Sequence, residues 1–115
     1  MRFVQTLQLK DDKQLIEAYK LQHSPEQMWP EIIEGIRAVG IEEMEIYISG
    51  NQLVMIVDAP DDFNWDESMA RLATLPRQQE WEELNAKYQQ CDPNATSDQK
   101  WQMMQRFFHL YDTNK

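Results

Sequence analysis

Two periodicities in the order of apolar and polar residues divide the chain into strands and helices. Apolar residues that alternate with polar ones, or follow each other in a short run, predict strands at residues 2–9, 44–48, 53–57 and 103–110. Apolar residues that recur every three or four positions predict helices at residues 12–23, 30–39, 65–73 and 81–88. The resulting order is β-α-β-β-α-β, in which each helical connection consists of two pieces.

Residues suited to caps and turns mark the ends of these elements. Asp12 is a good N-cap for the first helix, and Gly40 is suited to end the second. Residues 24–27 have the form of a capping box, but a helix starting there would contain Pro30, which removes a backbone hydrogen bond. Either a short turn therefore precedes the second helix or that helix begins at Pro30. Residues 49–52 supply turn chemistry between the second and third strands, which predicts a hairpin.

This order of elements is that of the ferredoxin-like split βαβ unit, an α+β fold with helices on one face of an antiparallel sheet. The other face of the sheet then lacks a cover. Because the strands are apolar, that face would expose a large patch to water, so we expect two copies to pack sheet against sheet as a homodimer. A pocket between the open sheet face and the flanking loops would hold a small ligand. We predict a single domain over residues 1–115.

Composition and charge exclude several classes of protein. The chain has 115 residues, with 20 acidic residues against 11 basic ones and a net charge of −9, which argues against nucleic acid or an anionic membrane surface as a partner. Its longest apolar run, residues 53–57, is far shorter than the roughly 20 residues of a membrane span, and the N-terminus does not resemble a signal peptide. Cys91 is the single cysteine and forms no intrachain disulfide. These features predict a cytoplasmic protein.

Metal and nucleophile chemistry find no support in the spacing of polar residues. Most acidic residues between positions 58 and 83 are suited to helix caps and solvated helix faces. No Asp-x-Asp or His-x-His pair is present, so we expect no catalytic metal. Cys91 has no Cys or His at ligand spacing, and sets of Ser, His and Asp lack a recognisable local context.

Tyr19 and His23 form the most specific local feature. They are four residues apart on the first helix, so their side chains would be neighbours on one helix face. A histidine titrates near neutral pH, and an adjacent phenol can orient it or bind a substrate hydroxyl. A structural interpretation is also open, in which His23 ends the helix and Tyr19 lies in the core; spacing alone favours it. For His109, on the last strand, a structural or exposed position is the preferred interpretation.

The chain is rich in aromatic residues, with four Trp and four Tyr. Sugar sites use such rings because the C–H face of a pyranose packs on an aromatic face while its hydroxyl groups meet polar groups. Packing in the core is the preferred explanation for Trp29, Trp65 and Trp101, each of which lies near the start of an element. Trp81 differs from them because Glu82 and a second carboxylate follow it directly.

Several of these residues together resemble the L-rhamnose mutarotase family, including its L-fucose mutarotase-like members. Tyr19 and His23 match its Tyr-x-x-x-His motif, and residues 29–31 match its Trp-Pro-Glu motif, although the spacing between the two motifs is two residues longer here. The similarity extends over nearly the whole chain, through Gly40, residues 45–47, the hairpin, Trp65, residues 79–81 and residues 101–110.

The resemblance implies a dimeric ferredoxin-like α/β barrel that interconverts the α and β anomers of a 6-deoxyhexose without a cofactor. By the same resemblance His23 is the acid residue, Tyr19 binds the substrate, and Trp81 is the first of two Trp residues that contact the sugar. The sequence departs from the family at two positions, because Glu82 replaces the second Trp and Met44 replaces a second substrate-contacting Tyr. These changes favour L-fucose over L-rhamnose, since a carboxylate in place of an indole suits a different hydroxyl pattern.

Ring opening of a pyranose needs one proton given to the ring oxygen and one removed from the anomeric hydroxyl. We assign the acid to His23, while the base stays open between Glu82, a water molecule and His23 itself in the other half of the reaction. Two other functions suit the predicted fold: a cofactor-free monooxygenase or haem-degrading enzyme, which no motif here supports, and a dimeric sugar-binding module without catalysis.

Overall fold

A computed structural model describes residues 1–92 and 94–113, and within them the chain forms four strands and five α-helices. The strands are β1 (Arg2–Gln8), β2 (Glu43–Ser49), β3 (Gln52–Asp58) and β4 (Gln102–Met103). The helices are α1 (Lys13–Gln22), α2 (Pro30–Ala38), α3 (Trp65–Leu72), α4 (Gln78–Ala86) and α5 (Ser97–Lys100), and a 3-10 turn follows at Leu110–Thr113. Position 93 and the last two residues of the predicted domain lie outside the described residues.

Capping residues end the helices of the first connection where the sequence predicts. The Asp12 carboxylate accepts hydrogen bonds from the backbone N–H groups of Gln14 and Leu15, at 2.9 and 3.2 Å, which fixes the start of α1. A turn follows α1, and α2 begins at Pro30, where the absent N–H group costs nothing. Gly40 ends this helix with a φ of 102°, in the region that glycine adopts without strain.

The sheet is antiparallel, with the strand order β2-β3-β1-β4. β3 pairs along its whole length with β1 on one side and with β2 on the other, and the β2–β3 pair is the predicted hairpin. With α1 and α2 in the first connection and α3 and α4 in the second, this confirms the predicted ferredoxin-like α+β fold.

The two faces of the sheet differ in cover. Leu7, Leu53 and Val57 point to the face that carries the helices, where they are buried in the main apolar core. On the opposite face Val4 lies beside Ile56, and Thr6 lies beside Val54; these four side chains are only half-buried. The helices therefore cover one face, and the centre of the other face is apolar and open.

The predicted last strand is much shorter than its alternating pattern indicates. Only Gln102 and Met103 pair with β1, opposite Thr6 and Gln5, and the prediction of a strand reaching residue 110 is wrong. In this antiparallel register, a residue beyond 106 would have no partner in β1, because β1 begins at Arg2. The chain leaves the sheet instead, and Phe107 is 95% exposed.

Candidate active site

A cavity lies between the helix-covered face of the sheet and all five helices. Gln5 and Met55 from the sheet contribute to it, and both belong to the helix-covered face because they pair with each other beside Leu7 and Leu53. The predicted pocket on the open face is therefore in the wrong place. The cavity has a volume of about 100 Å³, several times the roughly 10–15 Å³ that one water molecule needs. This space suits a small polar ligand.

Tyr19 and His23 both line this cavity, at the end of α1. The imidazole stacks on the phenol ring, with centroids 4.2 Å apart and planes 28° apart. His23 Nδ1 lies 2.8 Å from the Tyr19 carbonyl oxygen. Since a carbonyl oxygen only accepts, Nδ1 is the nitrogen that donates, and Nε2 is left as the proton-accepting nitrogen of the neutral ring.

The surroundings of His23 favour its neutral form. Burial lowers the pKa of His23 below its ordinary value of 6.5, and the hydrogen bond to the Tyr19 carbonyl opposes this shift only in part. At neutral pH the ring is therefore mostly uncharged. A group of this kind is poised to take a proton from a substrate hydroxyl and to return it.

Tyr19 is suited to donate a hydrogen bond and unsuited to act as a base. The residue is 4% exposed, and burial raises the pKa of its hydroxyl to about 12, while a hydrogen bond from the Gln89 side chain acts in the opposite direction. The hydroxyl therefore stays protonated at any physiological pH. Gln89 is itself buried and lines the same cavity.

Trp81 of α4 lines the same cavity. Its ring makes an edge contact with His23, with centroids 5.1 Å apart, and a second edge contact with Trp29 at 5.2 Å. The Arg77 guanidinium lies 3.9 Å from the centroid of the Trp29 ring and forms an ion pair with Glu31 at 3.1 Å. The fold thus gathers the three residues of the sequence-based site, and a layer of aromatic and charged contacts supports Trp81 from outside.

The two departures from the family pattern also face the cavity, as Glu82 and Met44 line it. The Glu82 carboxylate accepts a hydrogen bond from the backbone N–H of Ser97, and Lys100 Nζ donates to the Glu82 carbonyl oxygen at 3.0 Å. Burial raises the pKa of Glu82, while the Ser97 bond and the Lys100 charge oppose this shift. α5 therefore holds Glu82 next to Trp81, where a second indole is expected from the family.

The other histidine and tryptophan residues take different positions. The His109 ring lies after β4, 5.8 Å from the ring of Tyr111, and His109 is not among the residues that line the cavity. Trp101 belongs to the buried core and Trp65 packs against it, which confirms the predicted packing, and both also line the cavity. Trp29 contributes through its contact with Trp81.

Sequence reasoning missed five buried polar residues that line the cavity: Gln5, Gln78, Asn85, Gln89 and Lys100. A signal for Gln5 was present, because it stands in β1 between the inward-facing positions of Phe3 and Leu7, where an apolar residue is expected. The other four had no such signal, since many polar residues surround them along the chain.

Two further features, a metal-binding cluster and a membrane-spanning helix, are absent from the part of the chain that the structure describes. No three of its His, Cys, Asp and Glu residues lie close enough together to hold a metal ion. None of its helices has the length and apolar character needed to cross a membrane.

Comparison with known proteins gives the site its context. The family model described as L-rhamnose mutarotase matches residues 2–110. A protein of Xanthomonas campestris pv. campestris named L-fucose mutarotase is 37% identical over 109 residues, which is 95% of this chain and 87% of that relative. The family match includes the cavity residues from Gln5 to Trp101.

Two solved structures share the fold. The L-rhamnose mutarotase of Formosa agariphila superposes with a TM-score of 0.70 at 21% identity, over 95% of this chain and 97% of the other. The tetracenomycin F2 cyclase of Streptomyces glaucescens, a type-II polyketide cyclase, superposes with a TM-score of 0.57 at 16% identity, over 95% of each chain. The cyclase shows that this fold also serves other chemistry. The match over residues 2–110 and the 37% identical relative show that the chain belongs to the L-rhamnose mutarotase family.

Proposed function

We propose that this protein is a mutarotase that interconverts the α and β anomers of a 6-deoxyhexose pyranose, with L-fucose preferred over L-rhamnose. Membership of a mutarotase family gives the class of carbohydrate isomerase. The observation that carries the proposal is the contact of His23 with both Tyr19 and Trp81 inside one cavity. The similarity to a relative named L-fucose mutarotase supports the choice of sugar.

His23 is the proton-transfer group of the proposed reaction. Its neutral Nε2 takes the proton of the anomeric hydroxyl while the oxygen's electron pair forms the C1=O bond. The bond between C1 and the ring oxygen breaks, and the ring oxygen takes the proton from the imidazolium. His23 thus acts as the acid for the ring oxygen with a proton it has first removed, which agrees with its lowered pKa. Rotation about C1–C2 and the reverse steps close the other anomer.

Tyr19 and Trp81 bind and orient the sugar in this proposal. The Tyr19 hydroxyl stays protonated, so it donates a hydrogen bond to a sugar oxygen. The indole of Trp81 packs on the apolar face of the pyranose, next to the imidazole. No cofactor takes part, because both protons are supplied and accepted by the sugar and His23.

Glu82 supports the preference for L-fucose. L-fucose and L-rhamnose differ in the orientation of their ring hydroxyls, and a carboxylate accepts hydrogen bonds that an indole cannot. Glu82 has one such bond to Ser97 and retains acceptor capacity on the cavity side of α4. Met44 leaves this part of the wall apolar where the family places a second phenol.

We further propose that the enzyme is a cytoplasmic homodimer. The half-buried apolar residues at the centre of the open face give the dimer its physical reason, because burial of this face against a second copy removes apolar surface from water. The cavity lies on the opposite side of the sheet. The dimer therefore supports the fold and leaves each subunit with its own cavity.

Magnetisation-transfer NMR on equilibrated sugars tests the function. A catalytic amount of protein is expected to speed exchange between the two anomeric proton signals of L-fucose, and to do so less for L-rhamnose. If no 6-deoxyhexose exchanges faster than in buffer, the mutarotase function is wrong. A sugar that raises the unfolding temperature with no change in exchange would instead identify a binding module without catalysis.

A further inference from the structure

Gln5 and Asn85 place two buried amides at the cavity. Gln5 is 2% exposed and Asn85 is 4% exposed, and both residues line the cavity. Among the described residues, neither Gln5 Oε1 nor Asn85 Oδ1 has a hydrogen-bond partner. Buried side-chain oxygens are nearly always paired in folded proteins, so two unpaired ones at one cavity need an explanation.

Gln5 has no structural reason to be polar. It stands on the helix-covered face of β1, opposite Met55 of β3 and Met103 of β4, and between the core positions of Phe3 and Leu7. An apolar side chain of the same length would fill this place without an unpaired oxygen. Polar residues that break the core pattern with no partner in the folded chain are expected at functional sites.

Asn85 has half of its hydrogen-bonding capacity in use. Its Nδ2 donates to the Trp81 carbonyl oxygen, one helical turn earlier, at 2.8 Å. Because a carbonyl oxygen only accepts, this bond fixes which end of the amide is nitrogen and leaves Oδ1 as the open acceptor. The acceptor is thereby held next to the residue that packs on the pyranose in the proposed function.

We propose that Gln5 and Asn85 are sugar-binding residues that accept hydrogen bonds from ring hydroxyls and so set the specificity of the cavity. The inference rests on the proposed mutarotase function. A pyranose packed on Trp81 directs its hydroxyls outward from the ring. The Asn85 oxygen is already held beside Trp81, and the terminal amide torsion of Gln5 turns at little cost to meet a hydroxyl. The sugar then satisfies the two oxygens that the folded chain leaves unpaired.

Gln5→Met tests this with a side chain of similar length and no polar group. The matched control is Gln8→Met, on the same strand but exposed on the open face of the sheet. We expect Gln5→Met to raise the KM for L-fucose about tenfold with kcat little changed, and Gln8→Met to leave both at the wild-type values. Gln5→Met is also expected to unfold at the same temperature as the wild type or higher, since it removes an unpaired buried acceptor.

A panel of L-fucose analogues, each lacking one ring hydroxyl, separates a binding role from a structural one. A purely structural effect on KM would not depend on which hydroxyl is missing. We expect one analogue to have a raised KM with the wild type and no further rise with Gln5→Met, because the lost hydroxyl and the lost amide remove the same hydrogen bond. Asn85→Leu is expected to show the same coupling with a different analogue.

The outcomes separate the two proposals. If the wild type exchanges L-fucose anomers and Gln5→Met has the wild-type KM for every sugar, the specificity role is wrong and the mutarotase function stands. If the wild type exchanges no sugar, but L-fucose raises its unfolding temperature and Gln5→Met loses this rise, the binding role stands without the mutarotase function. If L-fucose neither exchanges nor binds, both are wrong.

Discussion

The two faces of the sheet carry different kinds of side chain from the same strands. On the helix-covered face, β1 contributes the polar Gln5 to a cavity that also contains a histidine, a phenol and a carboxylate. On the open face, the same strand contributes Val4, next to Ile56 of β3. In the proposed function, alternation along a strand separates the catalytic face from the dimer face, and we expect a substitution on either face to affect only one of these roles.

The largest effect is expected on the chemistry. His23→Ala removes the group that carries the proton in the proposed mechanism, so the rate of anomer exchange should fall about 10²–10⁴-fold, which is the usual contribution of general acid–base catalysis. NMR exchange rates and sedimentation velocity would be measured on the same sample. His109→Ala, outside the cavity lining, is the matched control and should keep the wild-type rate. Full activity of His23→Ala would remove His23 from the mechanism.

The next effect concerns association. Ile56→Asp places a charge at the centre of the open face, where a sheet-against-sheet dimer would bury it without a partner, so the variant should sediment as a monomer. Ser49→Asp, an exposed position at the end of β2, should remain a dimer. A wild-type monomer, or an Ile56→Asp dimer of wild-type affinity, would contradict the proposed interface. Retained exchange by the monomer would show that each cavity works within one subunit.

The sequence predicts most of the fold, and the prediction of a long last strand is wrong for a physical reason. A strand needs a partner along its length, and β1, which begins at Arg2, offers none to residues 107–110. Periodicity carries no information on the length of a distant strand. By contrast, the capped helices and the hairpin depend on local residues such as Asp12 and Gly50, so they were predicted correctly.

The candidate site was predicted less completely, for a related reason. Tyr19 and His23 are neighbours on one helix, so spacing places them together. Trp81 was assigned through family resemblance, and only the fold brings it against His23. Asn85 and Lys100 depend on burial of helix residues with polar neighbours, which no local pattern distinguishes from solvated positions. Gln5 was visible as a polar residue at a core position, but its meaning depends on the cavity.

The pH dependence tests the state in which His23 works. The pKa of His23 lies below 6.5, and the neutral ring takes the first proton, so kcat/KM should rise with pH through this pKa and level off near neutral pH. NMR exchange rates between pH 4.5 and 8 would give the profile, with the residual rate of His23→Ala as the control. A rate that falls as pH rises over this range would mean that the protonated ring is the active form.

Burial of the neutral ring has a matching effect on stability. Above pH 6.5 His23 is uncharged in both states, and as the pH falls below this value the unfolded chain takes up the proton more readily than the folded one. Protonation of His23 therefore lowers the free energy of unfolding as the pH falls from 6.5 through the lowered pKa of this residue. Urea unfolding at pH 7 and pH 5 should show a larger drop for the wild type than for His23→Gln, and equal drops would contradict the burial of a neutral imidazole.

Tyr19→Phe is expected to have a smaller effect. It removes the hydroxyl that donates to the sugar in the proposed function, so kcat/KM should fall about tenfold. Tyr88→Phe is the control, since Tyr88 packs edge-on against Tyr19 but does not line the cavity. Equal losses in the two variants would indicate a packing role for Tyr19.

The smallest expected effect tests how the helix-covered face selects its sugar. Glu82→Gln keeps the size of the side chain and an oxygen for the Ser97 N–H, and it removes one acceptor and the charge. In the proposed function that acceptor distinguishes the two sugars by the orientation of their hydroxyls. The ratio of kcat/KM for L-fucose to that for L-rhamnose should therefore fall about threefold to tenfold. Glu83→Gln, on the exposed side of α4, should leave the ratio unchanged. An unchanged ratio for Glu82→Gln would assign the preference for L-fucose to the amides and not to this carboxylate.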